Sequence, residues 1–182
     1  MASWGHGADR RHRTPVVTRH PAPDPAGPGQ ESVWDYPRPP RVEPSSELVE
    51  VHLGGQVVAR TDQALRVLET SHPPTYYLPR DAFVEGVLVA VPGSTVCEFK
   101  GRAAYFDVVA GGTRASRAAW HYPEPVAGFE PLRDHVAVMP SAMDACFVDG
   151  ERVRPQEGGF YGGWITDRVV GPFKGAPGSL WW

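Results

Sequence analysis

Along this chain the apolar positions fall in short runs, mostly alternating with polar ones and cut by Gly and Pro. Leu48, Val49, Val51 and Leu53 lead into Gly54-Gly55, and Val57, Val58 and Ala59 follow. Two glycines between such runs predict a hairpin over 47–60 with a tight primed turn. Next, Thr61-Asp62 offers an N-cap, and Ala64, Leu65, Val67 and Leu68 predict one short helix near 62–70, ended by Pro73-Pro74. From there the pattern is β. Strands are expected at Val84–Val91, at Thr95–Phe99 and Arg102–Val109 around Lys100-Gly101, and at Arg117–Tyr122. His135–Met139 and Ala145–Val148 follow, and Asp149-Gly150 turns the chain toward Val153. The last stretch, rich in Gly and aromatics, is expected to wrap as loops. The fold class is mainly β, an open sandwich of short antiparallel strands with that single helix.

The two ends of this pattern differ. Residues 1–30 hold five Pro, four Gly and almost no apolar periodicity, so they are expected to form a disordered tail. His6, His12 and His20 lie in it as solvated side chains. Order is expected from Glu31, where Trp34, Tyr36 and the prolines make an extended strap packed along the domain. The division is therefore a tail, 1–30, and one domain, 31–182.

Composition supports a single ordinary core. The chain has 182 residues, 41% of them hydrophobic and 21% charged, with 20 Gly and 20 Pro that fit many turns and little helix. The net charge is −3. With four Arg against two Asp in the tail, residues 31–182 hold 14 basic and 19 acidic side chains, and no basic stripe suits a nucleic acid. No apolar run is long enough to span a membrane, and the first 30 residues contain no apolar stretch of the kind a secretory signal needs. A cytoplasmic protein with reduced thiols is expected. Cys97 and Cys146, the two cysteines, cannot build a four-thiolate zinc site, so neither metal nor cofactor is expected. Basic residues are almost all Arg, as translation of a GC-rich bacterial genome would give. The two lysines, Lys100 and Lys174, both sit in Phe-Lys-Gly.

Three groups of residues could carry chemistry. Glu69 to Tyr77 packs a carboxylate, three hydroxyls, an imidazole and two phenols into nine residues, on a backbone that Pro73-Pro74 holds extended. Glu69 and His72 are the candidate proton-transfer groups, since a neutral imidazole can act as a base near pH 7. The second group is Cys97-Glu98-Phe99-Lys100, where Glu98 and Lys100 share a strand face and Lys100 would bind an anionic group. Cys97 reads as a packing thiol. The third is aromatic: Tyr76, Tyr77, Trp120, Tyr122, Tyr161 and Trp164, joined by Lys174, would contact a ligand, with Trp34, Tyr36 and Phe160 in the same compositional set. Glycines at 158, 159, 162 and 163 would let backbone approach that ligand closely. The Glu69–Tyr77 loop and the 158–164 segment are expected to face one shared pocket. Asp144 and Asp149 read as turn residues. Catalytic signatures such as a nucleophile elbow, a Walker loop or a dinucleotide fingerprint do not occur.

Several longer stretches carry a family resemblance: VWDYPRPP in the strap, LETSHPPTYYLP at 68–79, CEFKG at 97–101, AWHYP at 119–123, GGFYGGWIT at 158–166 and GPFKG at 171–175. In this order they resemble the bacterial and fungal domain-of-unknown-function family 427 across 31–182. The resemblance implies a domain of the β-tent type, also seen in methionine sulfoxide reductase B, the Mss-type zinc proteins and the thalidomide-binding domain of cereblon. Many of those relatives hold a structural zinc on two Cys-x-x-Cys knuckles; this sequence has none, so the metal does not transfer. The family also bears a nucleotidyltransferase label, which no Gly-Ser followed by paired Asp supports here. The function expected is a small-molecule-binding β domain with an aromatic, metal-free pocket, either purely binding or an enzyme of acid–base type. An interaction module for a peptide or modified residue is the alternative, and a nucleotide-handling enzyme a further one.

Overall fold

The computed structural model describes residues 20–182. His6 and His12 lie outside the described residues. Among the described residues fifteen strands run in chain order: β1 (Glu31–Ser32), β2 (Arg41–Ser45), β3 (Val49–Leu53), β4 (Gln56–Thr61), β5 (Ala64–Leu68), β6 (Thr75–Pro79), β7 (Leu88–Cys97) and β8 (Gly101–Ala110). They continue as β9 (Thr113–His121), β10 (His135–Val138), β11 (Ala145–Val148), β12 (Glu151–Arg152), β13 (Arg154–Pro155), β14 (Trp164–Ile165) and β15 (Val169–Val170). Seven form one antiparallel sheet in the order β2-β5-β6-β10-β9-β8-β7, and four form a second, β12-β11-β3-β4. The helical pieces are single 3-10 turns of three residues each. No helix among the described residues is long and apolar enough to cross a membrane.

The two sheets face each other across the main core. Val49, Val51 and Leu53 of β3 meet Tyr76, Leu78, Phe106, Val108, Val136 and Val138 of the larger sheet, with Cys146, Val148 and Trp164 closing the same cluster. Strict alternation in β3, buried at 49, 51 and 53, is what a strand with one wet face gives. Burial pushes the Cys146 thiol up to about 12, as expected of an inert packing residue. Gly54 and Gly55 both take positive φ, 60° and 72°, the backbone a type I′ turn requires. Asp144 and Asp149 are turn staples, accepting from the Gly55 and Leu48 amides.

Three expectations need correction. The segment expected as a helix near 62–70 contains strand β5, paired with β2 on one side and β6 on the other. A two-turn helix has little stability of its own, whereas this run gains two neighbours; Val67 also favours the pleat. Thr61 accepts from the Gln63 amide in a local turn instead of capping a helix. Secondly, the strands expected at 84–91 and 95–99 are one strand, β7, which starts at Leu88 and carries a register shift between Val91 and Ser94. Pro92 is tolerated there because β7 is the sheet's edge. Thirdly, residues 20–30, grouped with the tail, lie on the domain: the Asp24 amide bonds Gly171 O at 2.8 Å and the Gln30 side chain bonds Asp167 O at 2.7 Å. The strap from Glu31 then makes β1 and a 3-10 turn, burying Val33 and Tyr36.

Candidate functional site

The larger sheet has a second face, opposite the core, and its floor can be read from strand register. Leu65, Tyr77, Ala137, Trp120 and Tyr105 are successive cross-strand neighbours over β5, β6, β10, β9 and β8. Ala137 stands between the two largest rings. Its small side chain leaves the Trp120 indole free to reach across, and Nε1 donates to Tyr77 Oη at 3.2 Å. Tyr122, one residue past β9, continues the floor with its ring 6.4 Å from that of Tyr77. Burial raises the phenols of Tyr77 and Tyr122 far above their usual value, so both stay neutral.

Above this floor is an open cleft of about 590 Å³. One wall is the 69–75 loop. Its position depends on the strap: Thr70 N bonds Pro37 O, Ser71 N bonds Val33 O, and Thr70 Oγ1 donates to Tyr36 O. Ser71 turns the chain at φ 68°. The facing wall is 156–162 with Lys174. Buried Gln156 ties it together, accepting from Gly163 N at 3.1 Å and donating to Lys174 O at 2.7 Å. A Cβ on Gly162 would lie 2.2 Å from Trp120 Cη2, and one on Gly163 2.7 Å from Pro73 Cγ. No larger residue fits at either position without moving the floor or the first wall.

His72 joins the two walls. Its ring lies edge-on to Tyr161 with centroids 4.9 Å apart, and both line the cleft. Its Nδ1 is 2.9 Å from Thr70 O. A carbonyl only accepts, so Nδ1 carries the hydrogen and Nε2 of the neutral ring is left as an acceptor. Burial holds the imidazole below its ordinary value, outweighing the opposite pull of Glu69. Glu69 is itself engaged, with Oε1 3.1 Å from Arg38 Nη2. Burial, with Arg38 adding to it, also lowers Lys174 from the usual lysine value, and its ammonium donates to Trp182 O at 2.8 Å.

Of the expected site residues, Glu69, His72, Tyr77, Glu98, Lys100, Trp120, Tyr122, Tyr161 and Lys174 all line this cleft. Tyr76 and Trp164 do not. They face the core, with ring centroids 5.2 Å apart, and Tyr76 Oη donates to Glu47 Oε2 at 2.7 Å. Period two explains the split: with Tyr77 on the cleft face, its neighbour Tyr76 must point the other way. Cys97 also reaches the cleft from the end of β7, beside Tyr122. The residues missed include Arg38, Tyr105 and Gln156. Arg38 lay in a segment read as a strap, and only the strand register could reveal Tyr105. Gln156 offered no signal in the sequence.

A second polar assembly sits on the core face. Glu43, Arg66 and Tyr76 are cross-strand neighbours, and Arg66 bonds Glu43 and Glu31 at 2.7 and 2.9 Å. Arg168 bonds Glu31 and Glu47. Among the described residues, no group of three or more His, Cys, Asp or Glu is arranged to hold a metal ion.

A family model, the domain of unknown function DUF427, matches residues 41–149. That stretch contains the floor and the 69–75 wall, while the facing wall and the strap lie beyond it. No curated protein matches the chain.

Proposed function

The chain belongs to the DUF427 family, and we propose that its cleft binds a small organic molecule on the ring-lined floor, with His72 as the group that exchanges a proton with it. The volume is that of an ordinary small-molecule site, and the lining is the usual mix of aromatic faces with a few polar groups. The observation carrying the proposal is the His72 arrangement. Nδ1 is satisfied by Thr70 O, the ring is neutral at pH 7, and Nε2 has no hydrogen-bond partner among the described residues. A base so held can take a proton from a bound acid or from a carbon activated by a neighbouring carbonyl. Glu69 then serves to hold Arg38 at the rim, since the ion pair occupies it.

Ligand-observed and protein-observed NMR against a fragment library tests this. Binders should move the Trp120 indole and His72 imidazole signals and leave the Trp164 indole, which is buried in the core, in place. The proposal fails if no fragment moves Trp120 or His72. A peptide laid in the same cleft is the second reading. It is favoured by Val96 and Phe160, 70% and 81% exposed on the rim, and by the place of β7 at the sheet's edge among the described residues. Under it, the shifts would extend along the β7 amides.

A further inference from the structure

We infer that the molecule this cleft takes is a flat, conjugated anion, held by Lys100 and Lys174 over the tyrosine rings; the inference rests on the cleft reading above. Basic side chains in this chain are arginine at every position but two. Those two lysines come from Phe-Lys-Gly tripeptides 74 residues apart in sequence, yet both line the same cleft. Each ammonium stands 5.9 Å from the centroid of a tyrosine ring in that cleft, Lys100 over Tyr122 and Lys174 over Tyr161.

The charge around the site runs against that of the molecule. The chain as a whole is at −3, but the cleft is lined by Arg38, Lys100 and Lys174 against Glu69 and Glu98. Glu69 is matched by Arg38, and Lys100 makes no ion pair among the described residues. A compact ammonium partly out of water attracts an anion and repels an amine. Between the two lysines the contacts pass through the buried Tyr122 and Tyr77 to Trp120 and the Gly162–Tyr161 backbone, so the surface on offer there is that of the half-buried Trp120 and Tyr161 rings. Such a surface favours a planar partner over a flexible chain. An acidic group on a planar frame satisfies both features at once.

The test uses the full chain and two charge-matched pairs, naphthoate with naphthamide and adenosine monophosphate with adenosine, titrated by calorimetry. At least one anion should bind about tenfold or more tighter than its neutral partner, the size expected of a half-buried charge contact. Which pair responds distinguishes a carboxylate from a phosphate. Substituting Lys100→Met and Lys174→Met together should erase that preference with the thermal midpoint kept. If the neutral partners bind as tightly as the anions, the anion assignment is overturned while the cleft reading stands. A preference that survives the double substitution overturns the role of the lysines. Binding of none of the four overturns the planar anion, and the cleft reading falls with it only if the fragment library is silent at Trp120 and His72 too.

Discussion

The two faces of the seven-stranded sheet are built from the same strands, yet one is closed and the other open. Adjacent residues show the contrast best. Tyr76 packs on Trp164 within the core and ends in an ion network through Glu47. Tyr77 packs beside Trp120 and Tyr122 and ends at an indole that borders a cleft. The closed face is covered by a second sheet, which supplies Val49, Val51 and Leu53 at matching spacing. Among the described residues the open face carries only a smaller buried cluster, Tyr77, Tyr122 and Ala137 with Phe129 and Leu132, and a loop stiffened with prolines and a segment thinned by glycines stand at the margins of the cleft left beside it. What separates core from site here is the kind of element laid over the face, together with a lining that is mainly aliphatic on the closed face and richer in rings on the open one.

The largest effect should come from exchanging equivalents across that divide. Trp164→Ala removes a fully buried ring from the closed face and should cost about 3–5 kcal/mol, lowering the thermal midpoint by about 10 °C. Trp120→Ala removes a half-buried ring at the cleft floor, and about 1–2 kcal/mol is expected, together with loss of ligand binding. Equal losses in the two melting curves would break the comparison, because Trp120 would then be a core residue.

Next in size is a pH contrast. On the closed face, burial pushes the Glu31 and Glu47 carboxyls up, but hydrogen bonds from Tyr36 and Arg66 to Glu31, and from Ser45, Tyr76 and Arg168 to Glu47, outweigh it and hold both below the usual range. A lowered carboxyl stabilises the fold above its unfolded value, about 4.3, and that stability disappears as pH falls through the folded value. Arg66→Met should cost about 3 kcal/mol at neutral pH by removing the buried cation that Glu31 and Glu43 share, and the gap to the parent should close below about pH 4.3. On the open face, His72 is also lowered, so its contribution is present above about 6.5 and fades as pH falls below that. His121 and His135 are lowered in the same way, so the relevant reading is the difference between the parent and His72→Gln. Denaturant midpoints from pH 3 to 8 should show the two substitutions acting in separate windows. A His72→Gln curve parallel to the parent would mean that this imidazole is solvated.

The sequence made some of this contrast legible and hid the rest. Local turn chemistry was readable: the hairpin at Gly54-Gly55, the turn at Asp149-Gly150 and strand Ala145–Val148 stand where the pattern put them. Part of the cleft lining was readable as well, because rare lysines, a Pro-stiffened His loop and paired glycines each mark a special local requirement. Three things were not. The strand at Ala64–Leu68 owes its form to β2 and β6, partners that no local window contains. The assignment of Tyr76 and Trp164 to the core follows from which face β6 presents to the second sheet, a property of register. And Arg66, flanked by apolar residues, gives no hint that its charge meets Glu43 across the sheet and Glu31 from the strap.

The finest comparison is between the two phenols. Tyr76→Phe deletes a hydrogen bond to a carboxylate, and a charge-assisted bond of this kind contributes about 1.5–3 kcal/mol. Glu47 keeps Ser45 and Arg168 as partners, so the low end of that range is expected. Tyr77→Phe deletes an acceptor for the Trp120 indole, a neutral bond of 3.2 Å that should contribute about 1 kcal/mol or less. Trp120 lines the cleft, so its indole can turn to a water there when the phenol is lost. The binding results should rank the other way. Tyr76→Phe touches nothing that lines the cleft and should leave ligand affinity unchanged. Tyr77→Phe frees the Trp120 ring to change its tilt under Gly162, where the contact is already close, and should weaken binding several-fold. Measuring both variants for melting and for the best ligand from the fragment screen checks the ranking. If Tyr77→Phe proves the more destabilising and binding is untouched, the second face is a sealed layer of core and the contrast between the faces fails at its centre.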